Sequence, residues 1–291
     1  MESVRITDVT PRDGLQDALG YVPVEDKVAL VNGLYAAGIR TIEVTSFVHP
    51  KWIPLLPDGD QLLSRVQGLN VEWVALVPNA KGVSRASRAG AHTVTLVVSA
   101  SESHNRANLN RSQKETLALL KEATLLARKV GLRVRGAIST AFACPFEGVV
   151  PLSSVQNVVE AYLKMGVDEL GIADTIGTAT PAQVKQRVLA LRDMTQSVPI
   201  GLHLHDRFGW ALANVAMAYE YGVRTFESAV AGLGGCPYAP GAAGNLDTER
   251  LVAFFHAQGI ETGIDVSRLE AVRKDLLAVL ERRLPAPSTA G

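Results

Sequence analysis

Cysteine is scarce in this chain, with only Cys144 and Cys236 among 291 residues. Two thiols cannot build a disulfide framework, and both are expected to stay reduced. Net charge is missing as well: 29 Lys and Arg balance 29 Asp and Glu. Nothing therefore advertises a nucleic-acid or acidic-membrane partner. No apolar run reaches the roughly 18 residues that a membrane span needs. The first residues lead into a strand without a signal-peptide or transit pattern. These absences predict a soluble, cytoplasmic protein.

Apolar residues make up 47% of the chain and charged residues 20%, enough for a sizeable core. Short β-branched runs alternate with stretches of helical period. The pattern predicts strands over 4–8, 40–45, 72–77, 93–98, 133–139, 168–172, 199–204 and 224–228. Helical patterns lie near 24–37, 59–66, 79–89, 113–130, 152–165, 181–194, 209–221 and 247–258. Gly38, Gly90, Gly131, Gly166 and Gly222 each stand between a helix and the next strand, where a left-handed residue ends the helix. Asn79 and Thr180 are expected N-caps, the latter followed by Pro181 at the first helical position. Eight βα units in about 258 residues predict a (β/α)₈ TIM barrel in one domain, 1–291. One more helix, about 266–283, and a frayed tail would form a C-terminal extension. The first strand leads into Thr10-Pro11-Arg12-Asp13-Gly14-Leu15, not the glycine-rich turn of a dinucleotide-binding sheet.

In such a barrel, strand ends converge on one face, so distant residues can share one site. His203 and His205 are two apart on a strand, so both imidazoles face the same way while Leu204 faces the other. A lone histidine is more often structural, but two at strand spacing, followed by Asp206, favour a shared ion. Asp13 supplies a carboxylate after the first strand, and Asn245 an amide oxygen after the last. As plain structure they would be a turn residue and a helix cap. Together the four make a mixed nitrogen and oxygen set suited to Mg²⁺ or Mn²⁺ in an open site. Glu43 and Asp174 fall near the ends of the second and sixth strands, where carboxylates can orient water or an arginine. A packing salt bridge is the competing role for Glu43, with Arg12 its expected partner in either case. Arg12 is a fixed cation able to stabilise a developing enolate.

The segment from Gly232 to Asn245 holds five glycines in fourteen residues, letting backbone approach a ligand closely. Cys236 sits at its centre, favouring proton transfer or acylation chemistry. Cys144 reads as a small buried hydrophobe. Residues Ser103 to Arg111 read as a polar loop, and His49, His92, His104 and His256 as surface or loop residues.

These residues also carry a resemblance. Pro11-Arg12-Asp13-Gly14-Leu15-Gln16, Thr45-Ser46-Phe47-Val48, Pro50-Lys51-Trp52, Asp174-Thr175-Ile176-Gly177, His203-x-His205-Asp206, Ala211-Leu212-Ala213-Asn214 and Gly232 through Asn245 are similar to the 3-hydroxy-3-methylglutaryl-CoA lyases. That family lies within a larger group of barrel metallolyases that includes isopropylmalate and homocitrate synthases. The Gly-Leu-Gly-Gly-Cys-Pro-Tyr-Ala run separates lyases from condensing synthases, whereas Arg-Asp and His-x-His mark only the larger group. The resemblance implies retro-Claisen cleavage of a 3-hydroxyacyl-CoA to acetyl-CoA and a keto acid. It implies Mg²⁺ or Mn²⁺ on Asp13, His203, His205 and Asn245, enolate stabilisation by Arg12, and proton delivery by Cys236. Glu43 and Asp174 would orient groups or relay protons, while Gln16, Ser46, Phe146 and Trp210 would contact an acyl-CoA substrate. A homodimer is the implied assembly. Phe146 stands where such lyases usually carry tyrosine, Trp210 where glutamine is common, His49 in place of serine, and His104 where an aromatic is common. These departures leave a related branched 3-hydroxyglutaryl-type thioester as an alternative substrate. A condensing synthase is further off, because such enzymes usually extend beyond the barrel and lack the cysteine loop.

Overall fold

Alternation along each strand decides which side chains fill the barrel and which meet the helices. In Val94, Leu96 and Val98, and in Leu170, Ile172, Leu202 and Leu204, the buried aliphatic residues recur at every second position, and Val134 and Ile138 keep the same phase on either side of Gly136. This outward set packs under the helices, and the residues between them point into the barrel. The computed structural model describes residues 3–18, 20–235 and 243–283. The strands are β1 (Arg5–Asp8), β2 (Thr41–Ser46), β3 (Glu72–Leu76), β4 (Thr93–Ser99), β5 (Arg133–Ser139), a short hairpin of β6 (Ala143–Cys144) and β7 (Gly148–Val149), β8 (Glu169–Asp174), β9 (Ile200–Leu204) and β10 (Thr225–Ser228). All but the hairpin close into a parallel barrel in the order β1-β10-β9-β8-β5-β4-β3-β2. The eight-stranded barrel read from the sequence is borne out.

Around it run α1 (Val24–Ala36), α2 (Gly59–Val66), α3 (Ala80–Ala89), α4 (Glu102–Leu109), α5 (Gln113–Lys129), α6 (Leu152–Met165), α7 (Pro181–Thr195), α8 (Ala211–Glu220), α9 (Thr248–Ala257) and α10 (Val266–Glu281). The expected caps are present. Asn79 accepts from the Gly82 N–H, and Thr180 forms a reciprocal capping box with Gln183 behind Pro181. Gly90 and Gly166 end their helices with φ of 92° and 75°, the left-handed region where a Cβ is costly. The expected C-terminal helix is α10, capped by Asp265 and tied to the end of α1 by the Asp265 N–H to the Ala37 carbonyl. The tail beyond residue 283 lies outside the described residues.

The structure corrects one segment. Ser103 to Arg111 is not a polar loop, because Glu102–Leu109 is α4. The Ser101 hydroxyl caps its first turn and Asn110, at φ 52°, ends it, a job that asparagine performs almost as readily as glycine. Its low apolar content hid the helix, since only one face is covered. His104 is fully buried on that face and is no surface residue. His49, His92 and His256 are exposed as expected, and Cys144 is buried.

Ions fill the lower part of the barrel. Arg135 pairs with Glu227 and, at 3.5 Å, with Glu169, which also holds Arg5. Burying so much charge is tolerable only because the partners are oppositely charged and close.

Candidate active site

The loop after β1 is built to aim two side chains inward. Thr10–Gly14 forms a single π-helical turn in which the Val9 carbonyl accepts from the N–H groups of Arg12, Asp13 and Gly14 at 3.2, 2.7 and 3.2 Å. Such turns are rare and concentrate at functional sites. The Asp8 carboxylate accepts the Thr10 N–H at 2.9 Å, and the Thr10 hydroxyl accepts the Val230 N–H at 2.8 Å, fixing the turn to both ends of the chain. Arg12 then lies between two carboxylates. Its Nε donates to Glu43 at 2.5 Å, and Nη1 donates to Asp13. Glu43 is fully buried beside a break in the β2–β3 register between Glu43 and Thr45, an irregularity that re-aims a side chain. The expected partnership of Arg12 with Glu43 is present. Burial disfavours the Arg12 charge, but Asp13 and Glu43 outweigh it and raise its pKa further.

From the other side of the barrel come the histidines. Asp13, His203 and His205 place one donor atom each within 4.8 Å of one another. His203 Nδ1 donates to Glu227 at 2.6 Å, and His205 Nδ1 donates to the Ala243 carbonyl at 2.6 Å. Both partners are acceptors only, so both Nδ1 atoms carry protons and the two Nε2 atoms turn toward each other, 3.1 Å apart. Two lone pairs at that distance repel unless something positive lies between them. A proton on His203 is one solution. Burial works against its charge, but the bond and charge of Glu227 prevail and raise its pKa. His205 goes the other way, pushed down to about 4 by burial and by His203. A divalent cation is the other solution, and it would also use the Asp13 carboxylate. Burial would raise the Asp13 carboxyl, yet Arg12 and the two histidines hold it below the ordinary value.

Asn245 arrives on a short segment beside the end of β9. His205 and Asn245 form an antiparallel bridge, and the Leu246 N–H donates to the Leu204 carbonyl at 2.8 Å. Its Nδ2 donates to Asp13 and to the Leu233 carbonyl, both at 2.7 Å, which leaves Oδ1 as the acceptor of the amide. Helix α9 is capped by Asp247, so Asn245 is not the cap. Close backbone approach explains the glycines here. A Cβ on Gly244 would lie 2.0 Å from the Gly232 carbonyl oxygen, and one on Gly234 would lie 2.4 Å from Asn245 Nδ2. The donor chemistry of Asp13, His203, His205 and Asn245 fits an oxygen- and imidazole-binding divalent ion.

A cavity of about 560 Å³ opens above these groups. Arg12, Asp13, Gln16, Glu43, His203 and His205 line it, as expected from the sequence. Asp174 does not. It is fully buried, and its two oxygens accept the N–H groups of Thr178 and Ala179 at 3.1 and 2.8 Å, so it anchors its own loop. Burial pushes its pKa up to about 6. Ser46 is buried and is not part of the cavity lining; its hydroxyl accepts the N–H of Val48, which is, at 3.3 Å. Phe146 and Trp210 are 54% and 43% exposed and stand outside the cavity lining. Trp210 packs on Phe208, with ring centroids 5.3 Å apart. Cys236 lies outside the described residues, and its neighbour Gly235 is on the cavity wall.

Sequence reasoning missed Glu227 and Arg135, both on the wall of this cavity, whereas His104, singled out as a departure from the family pattern, is on that wall too. The signal for the first two was present. Each is a charged residue at an inward-facing strand position, flanked by the buried outward-facing Phe226 or Val134, and buried charges of that kind cluster at sites.

A family model described as HMGL-like matches residues 3–276. The chain belongs to the HMGL-like family. It is 41% identical to a hydroxymethylglutaryl-CoA lyase of Bacillus subtilis, covering 98% of this chain and 96% of that one. It is 39% identical to an (R)-citramalyl-CoA lyase of Chloroflexus aurantiacus over 98% and 94% of the two chains. A solved hydroxymethylglutaryl-CoA lyase of Acinetobacter baumannii, in complex with coenzyme A and 3-methylmalate, superposes with a TM-score of 0.91. That pair is 39% identical over 99% of this chain and 95% of the other. The resemblance read from the motifs therefore holds across the HMGL-like barrel.

Proposed function

We propose that this HMGL-like chain is a divalent-metal-dependent lyase, a single catalytic barrel that cleaves 3-hydroxy-3-methylglutaryl-CoA to acetyl-CoA and acetoacetate. The observation that carries this reading is the pair of facing His203 and His205 Nε2 atoms beside Asp13, with the Arg12 guanidinium held next to them. In the reaction the tertiary hydroxyl loses its proton and the adjacent carbon–carbon bond breaks. The electron pair passes to the thioester enolate, which is then protonated on carbon.

Asp13, His203, His205 and Asn245 would hold Mg²⁺ or Mn²⁺, which acidifies a bound hydroxyl as a Lewis acid. Arg12 is locked by Glu43 and Asp13, so it meets a developing enolate oxygen without reorganising. Glu43 keeps that guanidinium in place, and Gln16 contributes a polar wall to the substrate. Cys236 follows Gly235 in sequence and takes the role of proton donor to the enolate carbon. Asp174 acts through its loop, as a positioning residue. The apolar part of the wall, including Val48, Ile53 and Leu55, suits the arm of an acyl-CoA. A homodimer in the cytoplasm completes the proposal. Among the described residues no helix is long and apolar enough to cross a membrane.

A related branched 3-hydroxyacyl-CoA is the second reading, supported by the citramalyl-CoA lyase relative at nearly the same identity. The deciding experiment is an assay of acetoacetate release with Mg²⁺ or Mn²⁺ present. Turnover is expected, lost on chelation and restored by metal. Arg12→Ala is expected to lower kcat about 10²–10³-fold, as for loss of an oxyanion donor. A folded, metal-loaded parent that leaves 3-hydroxy-3-methylglutaryl-CoA intact but cleaves citramalyl-CoA would replace the first reading with the second.

A further inference from the structure

One polar group on the cavity wall has a fixed protonation pattern that no step above uses. His104, on α4, is fully buried and lines the cavity, and its Nε2 has no hydrogen-bond partner among the described residues. Its other ring nitrogen, Nδ1, lies 3.1 Å from the Ser99 hydroxyl oxygen. The direction of that bond follows from counting protons. Thr140 Oγ1 donates its hydrogen to the Ser139 carbonyl at 2.8 Å. Its contact with Ser99 at 2.6 Å must then be donated by Ser99. The Ser99 proton is thus spent, while its oxygen also accepts the Ser101 N–H at 3.1 Å. His104 Nδ1 is therefore the donor to Ser99, and Nε2 is left with a bare lone pair. Burial lowers the His104 pKa to about 4, which keeps that lone pair free at neutral pH.

A buried acceptor without a donor is costly, so it is expected to be matched by a ligand. We infer that His104 Nε2 receives an N–H or O–H donor of the bound acyl-CoA. The inference rests on the acyl-CoA reading of the cavity. It excludes a carboxylate from this corner, because two sets of lone pairs would meet there. Ser139 is a second unmatched group on the same wall: its Oγ is buried and lacks a partner among the described residues, and as a hydroxyl it can accept or donate. Ser139 pairs in register with Ser99, which carries His104. Two sources offer such a donor, the pantetheine amides of coenzyme A and a hydroxyl on the branch at the tertiary carbon.

His104→Phe removes the acceptor while retaining a ring beside Phe146, and His104→Gln restores a carbonyl acceptor. Both are to be compared with the parent, all loaded with Mn²⁺. Calorimetry measures coenzyme A affinity, and kinetics compare 3-hydroxy-3-methylglutaryl-CoA with its 3-hydroxymethyl analogue. If a pantetheine amide is the donor, His104→Phe weakens coenzyme A binding about tenfold and raises KM for both substrates with little change in kcat. Glutamine then recovers the loss. If a branch hydroxyl is the donor, coenzyme A binding is unchanged, and kcat/KM for the hydroxymethyl substrate alone falls by about the same factor. In the unaltered protein, the His104 Nε2 resonance in ¹⁵N NMR should shift when the donor binds. Unchanged affinity and kinetics in His104→Phe, or a static Nε2 resonance, would overturn the inference. A parent that cleaves neither substrate but binds coenzyme A in a His104-dependent way would sink the lyase reading and leave this one standing.

Discussion

Glu227 holds His203 and Arg135 at once. One carboxylate oxygen accepts His203 Nδ1 at 2.6 Å, and the other takes the Arg135 guanidinium. The arginine and the histidine, set against burial, keep Glu227 well below the usual carboxylate range. This fixes the His203 tautomer and raises the basicity of the nitrogen that faces the metal position. Glu227→Gln keeps an acceptor for the histidine but loses the charge. It is expected to weaken Mn²⁺ binding about 10–100-fold, read by calorimetry on the apo protein. Unchanged Mn²⁺ affinity would show that Glu227 serves only the ion network of the barrel floor.

Lys27 is buried in α1, where its Nζ donates to Asp58 at 2.7 Å and to the Leu55 carbonyl at 3.1 Å. Tyr21 closes the cluster, its hydroxyl donating to Asp58 at 3.0 Å and its ring 4.8 Å below the ammonium. Leu55 lines the cavity, so this ion pair pins part of its wall. Lys27→Met strands the Asp58 charge and should cost about 3–5 kcal/mol in urea unfolding. Adding Asp58→Asn should recover much of that loss. A double variant no more stable than Lys27→Met would contradict the pairwise account.

The barrel was legible because its signals are periodic and repeated. β-branched runs, glycine helix ends and the Thr180-Pro181 start each agree with the same topology. The Asp13, His203 and His205 cluster was legible because barrel topology brings strand ends together. Less visible were features set by contacts across the barrel. Asp174 stands at a strand end like a catalytic carboxylate, yet backbone N–H groups of its own loop claim both oxygens. Phe146 and Trp210 sit in loops whose side-chain direction no spacing rule fixes. His104 hid in a segment too polar to read as a helix, and its role depends on Ser99 and Thr140, one of them 36 residues away.

Gly177 packs the Asp174 loop against the backbone that carries His205. A Cβ there would lie 2.8 Å from the Arg207 nitrogen and 3.0 Å from the His205 carbonyl atoms, at a φ of +68°. Gly177→Ala therefore combines a left-handed backbone penalty with a clash against main chain. The expected result is a loss of about 1–3 kcal/mol in unfolding free energy. Mn²⁺ affinity should fall with it, because the strand end holding His205 must shift. Loss of stability with full metal affinity would place the accommodation in the loop alone.

Asp8 gives the fold a pH dependence of definite sign. It is fully buried at the end of β1, accepting the Thr10 N–H at 2.9 Å and the Thr248 hydroxyl at 3.2 Å. Burial outweighs these bonds and raises its pKa from 3.8 to about 6. The folded state then binds the Asp8 proton more tightly than the unfolded state does. Its contribution is fully present below the unfolded value and is lost as pH rises through the folded one. Asp8→Asn keeps an oxygen for Thr10 and offers an N–H to the Thr248 hydroxyl, with no charge to bury. Relative to the parent it should gain stability between about pH 4 and pH 7, by at most about 3 kcal/mol. Urea unfolding of both proteins across that range checks this, and the difference cancels other titrating carboxylates. A gap that stays constant with pH would mean that Asp8 is already charged in the folded protein, with Thr10 and Thr248 carrying the cost of its burial.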